Sequence, residues 1–208
     1  LSEYFVLVLA ATLGAHVLTM STNVVMIFLS LELLSISSYL LTAFLFTRQG
    51  TEGALKYFLF GATASAAMLY GFSWLYGMSG SLDITSLSFI SLFTNNISSD
   101  LVLIAGSLVL AGFLYKLAAA PMHPWSPDVY EAAPIPVVAF FSVVPKLAGL
   151  AVLIRFVQSV YAQGNAVHDW QFLLAAVVLL SITFGNFSVL WQKNAKRLIA
   201  YSSISQAG

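Results

Sequence analysis

The chain contains no cysteine among its 208 residues. Disulfides, cysteine-ligated iron–sulfur clusters and cysteine-based zinc sites are therefore excluded from it. Charged residues are also scarce, because they make up 8% of the chain, against about 25% in soluble domains. The formal net charge is zero, which gives no reason to expect nucleic-acid binding. Hydrophobic residues make up 60% of the chain and the mean hydropathy is +0.92, a composition typical of an integral membrane protein.

The motifs that bind nucleotide cofactors are missing as well. The sequence has no dinucleotide fingerprint, phosphate loop or nucleophile elbow, so direct NADH binding is not expected. His16, His123 and His168 lie far apart in the sequence and do not have the spacing of metal ligands. We therefore expect no cofactor and no metal in this chain.

Long apolar runs predict an all-α polytopic membrane protein. About 20 apolar residues cross a bilayer as a helix, whose backbone must satisfy its own hydrogen bonds. The first residue is Leu1 and the last apolar run stops at Gly208, so we interpret the chain as a fragment of a longer protein. We predict six complete spans and the start of a seventh, at 4–20, 22–46, 53–78, 100–119, 134–160, 170–191 and from 197 onward.

The few loop charges divide by sign. Two links carry basic residues, namely Arg48 with nearby Lys56, and Lys193, Lys196 and Arg197. The long links 79–99 and 161–169 carry only acidic charges. Counting spans places the basic links on one side, which the positive-inside rule assigns to the cytoplasm or matrix.

Five of the six prolines fall in segment 118–136. Proline removes a backbone donor and clashes with the preceding turn, so we predict that the helix from Asp100 breaks just after Lys116. The chain should resume a short helix near the basic side. Interrupted helices are common at the ion sites of transporters. Asp128 and Glu131 follow the break and are expected to fix this segment.

Three ionisable residues, Glu32, Lys116 and Lys146, lie in the middle of predicted spans. An intramembrane charge costs about 2.5–3.5 kcal/mol on insertion scales, which favours a proton path that uses them. Burial disfavours a charged lysine, whereas a nearby carboxylate favours it. A shift of Glu32 relative to Lys116 would therefore switch the proton affinity of that lysine. The alternative is structural: a glutamate that joins helices, and lysines that neutralise it, snorkel or satisfy a kinked backbone.

Polar neighbours support the functional interpretation. Glu32 is followed on one helical face by Ser35, Tyr39 and Thr42, a polar stripe that runs toward the basic side. Lys146 follows Pro145, which leaves one helix carbonyl without a donor, and Gly149 leaves room there for a water.

Three further residues are candidate relays. Lys56 lies four residues after Glu52, so the alternative for it is a simple helix-surface ion pair. His123 lies in the proline-rich break and could relay protons or cap the broken helix. His16 lies in the first span, where a packing role is the alternative.

Five segments, at 31–39, 54–61, 115–134, 142–149 and 196–208, carry a resemblance to a known family. The third is long and contains Pro-Met-His-Pro-Trp-Ser-Pro at 121–127. The chain resembles the antiporter-like membrane subunits of respiratory complex I, the NADH:quinone oxidoreductase, and most closely their N type, called subunit 2 in mitochondria. The sequence Pro-Lys-Leu-Ala-Gly around Lys146 favours the N type over the L type.

The resemblance implies a fourteen-helix fold built from two inverted repeats. The first repeat would cover about 1–160 and the second would begin at about 170–208. Glu32, Lys116 and Lys146 match the family's glutamate, broken-helix lysine and central lysine. The implied function is proton translocation driven by quinone reduction elsewhere in the complex. Flavin, iron–sulfur clusters and quinone would then belong to other subunits, and the partners would be neighbouring membrane subunits, lipid and protons.

Two other functions stay open from the residues. One is a subunit of a multisubunit sodium/proton antiporter, for which the sequence supplies few oxygen ligands besides Glu32. The other is a membrane scaffold that does not pump. We expect a multi-pass protein of a bacterial inner membrane, with the mitochondrial inner membrane as the alternative.

Overall fold

The computed structural model describes residues 2–94, 99–162 and 170–208, and within those ranges the chain is helical, without strands. One isolated backbone bridge joins Asn23 and Asp83. The helices are α1 (Ser2–Met20), α2 (Val24–Thr42), α3 (Arg48–Ser79), α4 (Leu87–Ser91), α5 (Ser99–Leu117), α6 (Trp125–Ala132), α7 (Ile135–Tyr161), α8 (Trp170–Leu190) and α9 (Ala195–Ala207).

Six of these helices are long and apolar enough to cross a membrane, namely α1, α2, α3, α5, α7 and α8. The six predicted spans are therefore confirmed, with shifts at their ends. Helix α3 begins five residues before the predicted span because the Thr47 side chain caps it, accepting a hydrogen bond from the Gly50 amide at 3.0 Å. Helix α2 ends four residues early, where the chain turns into Phe46 with a φ of 50°.

The predicted interruption after Lys116 is also confirmed. Helix α5 ends at Leu117 and the next residue, Ala118, has a φ of 56°. The freed Ala120 amide donates to the Ser181 hydroxyl of α8 at 2.8 Å. Non-helical backbone at this depth is thereby satisfied by protein, as a membrane requires. In α7, by contrast, the helix continues through Pro145.

The two ends of the bundle differ in their links. Lys56 of α3 and Arg197 of α9 both bind Asp128 of α6, so the two basic links meet at one end. The Asn23–Asp83 bridge joins the start of α2 to the link after α3, at the other end. The placement of these three links agrees with the prediction. Residues 163–169 of the second acidic link lie outside the described residues, and the cytoplasmic assignment of the basic end stays a prediction.

Candidate functional site

Lys116 lies in the last turn of α5, where three helices meet. Only 1% of the residue is exposed. Its ammonium donates to the Ser35 hydroxyl of α2 at 2.9 Å, which is the kind of partner that a buried charge requires. On the α7 side its stem faces Gly149, because a Cβ added there would lie 3.5 Å from the Lys116 Cγ atom. The break in α5 therefore places this lysine inside protein.

Glu32 belongs to the same cluster but does not touch Lys116. Its carboxylate accepts a short hydrogen bond from the Ser65 hydroxyl of α3. The four salt bridges of the described residues do not join Glu32 to Lys116, although the two charges interact electrostatically. Ser35 lies one helical turn after Glu32 and binds the lysine in its place. The carboxylate and the ammonium are thus bonded to separate serines and not to each other.

In the predicted polar stripe on α2, Ser35, Tyr39 and Thr42 are buried, whereas Glu32 is half-buried. The Tyr39 hydroxyl interacts with Ser35 and with Tyr115. Thr42 differs, because its hydroxyl bonds to the Ser38 carbonyl of its own helix. The connected part of the stripe therefore extends from Ser35 to Tyr39, and Glu32 is bonded to Ser65 of α3 instead.

Gly61 of α3 makes room for the end of this stripe. A Cβ added at Gly61 would lie 1.9 Å from the Tyr39 hydroxyl oxygen and 2.9 Å from that of Tyr115. The Tyr115 hydroxyl also donates to the Tyr57 carbonyl of α3 at 3.0 Å. Tyr39 and Tyr115 therefore join helices α2, α3 and α5 next to the lysine.

Lys146 of α7 binds Ser203 of α9, a partner that the sequence analysis did not predict. Its ammonium donates to the Ser203 carbonyl of α9 at 2.8 Å and to the Ser203 hydroxyl at 2.5 Å. A cavity of about 300 Å³ adjoins it, lined also by Leu117 and Gln206. We expected Gly149 to leave room for a water near Lys146. A Cβ added at Gly149 would be in ordinary contact with Leu117 and the Lys116 stem, at 3.5 Å, and the water stays a prediction.

A charged recess opens at the basic end of the bundle, with a volume of about 230 Å³. The predicted Lys56–Glu52 pair is present at 3.0 Å, and Lys56 also binds Asp128 at 3.0 Å. Arg197 binds Asp128 and Glu131, each at 2.9 Å. As expected, the two acidic residues after the break fix that segment, here by tying α6 to α3 and α9.

The histidines lie away from this cluster. The His123 ring stacks on Phe184 with centroids 5.7 Å apart, and burial lowers its pKa from the ordinary value of 6.5. It does not cap α6 with its side chain, since only its backbone carbonyl accepts from Ser126. His16 lies on the exposed face of α1, and His168 is outside the described residues. Their roles as relays stay predictions.

Metal ligands do not cluster within residues 2–94, 99–162 and 170–208. No group of three histidine, aspartate or glutamate side chains there could hold a metal ion. The site is made of lysines, one carboxylate and hydroxyls, groups that bind and transfer protons.

Sequence reasoning missed Ser65 and Ser203, the partners of Glu32 and Lys146. Both are serines on helices distant in sequence. Ser65 lies in a run of small residues at 61–67, a pattern that permits close helix packing but does not indicate which residue meets the glutamate.

A buried lysine at a broken membrane helix, with a glutamate one helical turn from its serine partner, defines a polytopic membrane protein with charged groups inside its helix bundle. The family described as "NADH:quinone oxidoreductase/Mrp antiporter, TM" matches residues 21–208. The chain belongs to this family, and the resemblance inferred from its motifs is confirmed.

Curated relatives match over the whole chain. It is 42% identical to "NADH-quinone oxidoreductase subunit N" of Chlorobium chlorochromatii, and 48% identical to "NAD(P)H-quinone oxidoreductase subunit 2" of Picosynechococcus sp.. Each match covers 100% of this chain but 42% and 40% of those proteins. The chain therefore spans about two fifths of the length of these relatives.

Solved structures give the same fold. A chain of "Respiratory complex I from Thermus thermophilus with bound Aureothin" superposes with a TM-score of 0.84 at 40% identity, covering 99% of this chain and 43% of that one. A chain of the archaeal membrane-bound sulfane sulfur reductase gives 0.86 at 33% identity, covering 97% and 40%. With six apolar spans and bacterial relatives, the predicted location in a bacterial inner membrane is confirmed.

Proposed function

We propose that this chain is the proton-translocating part of a membrane subunit of NADH:quinone oxidoreductase. Quinone reduction elsewhere in the complex would drive proton transfer along Glu32, Lys116 and Lys146. One observation carries the proposal: Lys116 is 1% exposed, and among the described residues its ammonium donates to Ser35, one helical turn from Glu32, and not to the Glu32 carboxylate. A lysine that served only to neutralise Glu32 would be expected to bind it directly.

Electrostatics gives this arrangement a switch. At an effective dielectric constant of about 20, two unit charges attract by about 4 kcal/mol at 4 Å and about 2 kcal/mol at 8 Å. A shift that brought the two charges from 8 Å to 4 Å would therefore change the proton affinity of Lys116 roughly thirtyfold. The serines that hold Glu32 and Lys116 apart leave such a change available to a shift of α2 or α5.

Lys146 is the next residue along the proposed path. It lines the same cavity as Leu117, the neighbour of Lys116, and lies three residues before Gly149, which faces the Lys116 stem. We infer that a proton released by Lys116 passes next to Lys146. We propose that the first repeat covers about 1–160 and that the second begins at about 170. Lys146 would then belong to the first repeat, and its partner Ser203 of α9 to the second.

The remaining parts of the function belong to the whole complex. We propose that the partners are other membrane subunits, the bilayer and protons. The flavin, iron–sulfur clusters and quinone would be held by other subunits, and this chain would hold no cofactor. The second lysine of the family's path would lie beyond Gly208.

The test is Lys116→Ala in the full-length subunit, within the assembled complex reconstituted in liposomes. NADH:quinone turnover and proton uptake are recorded together, after assembly is checked on a native gel. We expect both rates to collapse while assembly survives. Lys193→Ala, an exposed lysine in the link before α9, should leave both unchanged. Turnover and uptake near wild type in Lys116→Ala would mean that the buried charges are a scaffold.

A further inference from the structure

Helix α5 ends in a backbone conformation that its sequence does not favour. Ala118 has a φ of 56°, in the left-handed region that suits glycine better than alanine. The Ala118 amide bonds back to the Tyr115 carbonyl at 3.0 Å, and the Ala119 amide to the Leu114 carbonyl at 2.9 Å. This pair of bonds is the Schellman motif, whose left-handed residue is usually glycine. An alanine in that conformation needs a stabilising contact from outside the helix.

The alternative for this segment is a longer α5. Residues 118–120 are three alanines, the strongest helix former. In a continued helix the Ala120 amide would donate to the Lys116 carbonyl, four residues earlier. That bond needs helical φ and ψ only at the three residues between them, whereas Pro121 restricts Ala120 itself. The prolines therefore exclude a continuous helix, but they do not decide between the observed end of α5 and one about a turn later.

Ser181 of α8 accepts the amide that such a helix would use. Its hydroxyl oxygen accepts from the Ala120 amide at 2.8 Å, and its hydrogen is donated to the Val177 carbonyl at 2.7 Å. The hydroxyl thus donates within its own helix, which leaves its lone pairs for the amide. Ser181 and Ala120 are both 0% exposed, and an amide left unpaired there would be costly. Ser181 therefore competes with the Lys116 carbonyl for one donor.

The position of Ser181 in α8 supports this specific role. It is one of three buried residues in the described range 170–190, with Trp170 and Gly185. The other two pack against residues away from the break, since Trp170 faces Gly106 of α5 and Gly185 faces Ser205 of α9. Ser181, in contrast, bonds to the break itself.

The end of α5 affects Lys116 because the chain beyond the break is anchored. Asp128 of α6 binds Lys56 of α3 and Arg197 of α9. Winding residues 118–120 into α5 would change the length of that segment and turn its exit from the helix by about 100° per residue. With α6 held in place, α5 would have to shift, and with it the lysine in its last turn.

We propose that Ser181 is a positioning residue for Lys116. Its hydroxyl holds the Ala120 amide away from the Lys116 carbonyl and keeps Ala118 left-handed, so that the lysine stays on Ser35 in the last turn of α5. Without this acceptor, the amide returns to the carbonyl and α5 becomes longer. The role rests on the proposed function, because its measured consequence is proton transfer by Lys116.

The test uses Ser181→Ala, Ala118→Gly and the double variant, in the full-length subunit of the reconstituted complex. In Ser181→Ala we expect NADH-driven proton uptake to fall roughly tenfold, the ratio that corresponds to the loss of one buried hydrogen bond. Glycine adopts the left-handed conformation readily and disfavours the longer helix. Ala118→Gly should therefore restore most of the uptake in the double variant and leave it near wild type alone. A serine that only packed α8 against the bundle would not be rescued in this way.

Ser159→Ala is the matched control. Ser159 is a buried serine of α7 whose hydroxyl donates to the Arg155 carbonyl of its own helix, as Ser181 does, and among the described residues it accepts no amide. It should leave uptake unchanged. Cryo-electron microscopy of the Ser181→Ala complex gives a second readout that does not depend on pumping: α5 should continue past Leu117.

Uptake near wild type in Ser181→Ala, an unchanged end of α5, or no rescue by Ala118→Gly would overturn the proposal. If Ser181→Ala does not assemble, the rescue is measured as assembly of the double variant, and a double variant that also fails to assemble overturns it. A collapse in Lys116→Ala with normal uptake in Ser181→Ala removes the role of Ser181 alone, whereas normal uptake in Lys116→Ala removes the proposed function.

Discussion

Gly61→Ala should displace Tyr39 from the lysine cluster. The new methyl group would lie 1.9 Å from the Tyr39 hydroxyl oxygen, whereas ordinary contact begins at 3.4 Å. The hydroxyl must therefore retreat by about 1.5 Å, and its ring is confined by Tyr57, with centroids 4.7 Å apart, and by Phe58. Overpacking of this kind costs about 1–3 kcal/mol.

Gly77→Ala is the matched control, on the same helix and with no atom within 4 Å of the added carbon. It should gain up to about 1 kcal/mol of helix propensity. Gly61→Ala shares this gain, so the expected difference in stability between the two variants is the overpacking cost of about 1–3 kcal/mol. Thermal unfolding of the purified complex measures the order of stability, and quinone reductase activity should fall only in Gly61→Ala, because Tyr39 loses its contacts with Ser35 and Tyr115.

A second substitution separates the clash from any other effect. Tyr39→Phe removes the atom nearest to the new methyl group, so it should restore part of the stability of Gly61→Ala. The ring carbon that carried the hydroxyl would still lie at 2.9 Å, so the rescue should be incomplete. Equal stability of Gly61→Ala and Gly77→Ala, or no rescue by Tyr39→Phe, would refute this account of the packing.

Two further predictions concern single groups. Ser65→Ala removes the donor to Glu32 and leaves a half-buried carboxylate short of a partner, at a cost of about 1–3 kcal/mol; proton uptake in liposomes should fall severalfold. Asp83 accepts from the amide and hydroxyl of Thr85, bonds that lower its pKa from the ordinary 3.8. Ionised Asp83 therefore adds stability above pH 3.8, and this stability is lost as the pH falls through the lowered pKa of Asp83. Thermal melts of Asp83→Asn and wild type measure it.

The Ser65→Ala and Asp83→Asn predictions each have a control. Ser73→Ala removes a hydroxyl of the same helix that bonds only to its own backbone, and it should pump normally; equal loss in Ser65→Ala and Ser73→Ala would speak against an anchoring role. For Asp83, the gap in melting temperature between wild type and Asp83→Asn should close in acid. A gap that stays constant across the acid range would show that the hydrogen bonds to Thr85 do not favour the charged form.

The spans and the break could be predicted because local physics determines them. Apolar runs of about 20 residues have no other stable state in a bilayer, and the prolines of 118–136 exclude a continuous helix. The ends of helices depended on caps that hydropathy does not report, such as Thr47 before α3. The buried charges were found because an intramembrane lysine or glutamate is rare enough to notice.

The partners of those charges could not be predicted in the same way. The spacing of Glu32, Ser35 and Tyr39 along one helix was readable, because a helix repeats every 3.6 residues. Ser203 meets Lys146 from 57 residues away, a contact set by how α7 packs on α9. Serine is common, and a single sequence does not distinguish the one that binds a lysine from the others.

The recess shows an intermediate case. The Lys56–Glu52 pair follows from helix geometry and was predicted. Its extension to Asp128 and Arg197 joins three helices, and the sequence indicated only that acidic residues follow the break. The sequence therefore made ion pairs at this end of the bundle foreseeable, but only the packing of α3, α6 and α9 determines which residues form them.

The central claim is that Glu32 and Lys116 act on one proton. The most direct test is a double-mutant cycle of Glu32→Gln, Lys116→Met and the double variant, with the rate of NADH-driven proton uptake measured in liposomes. Groups that act as a unit give non-additive losses, so the double variant should lose no more than the worse single variant. Losses that add fully, or uptake near wild type in either single variant, would contradict the account.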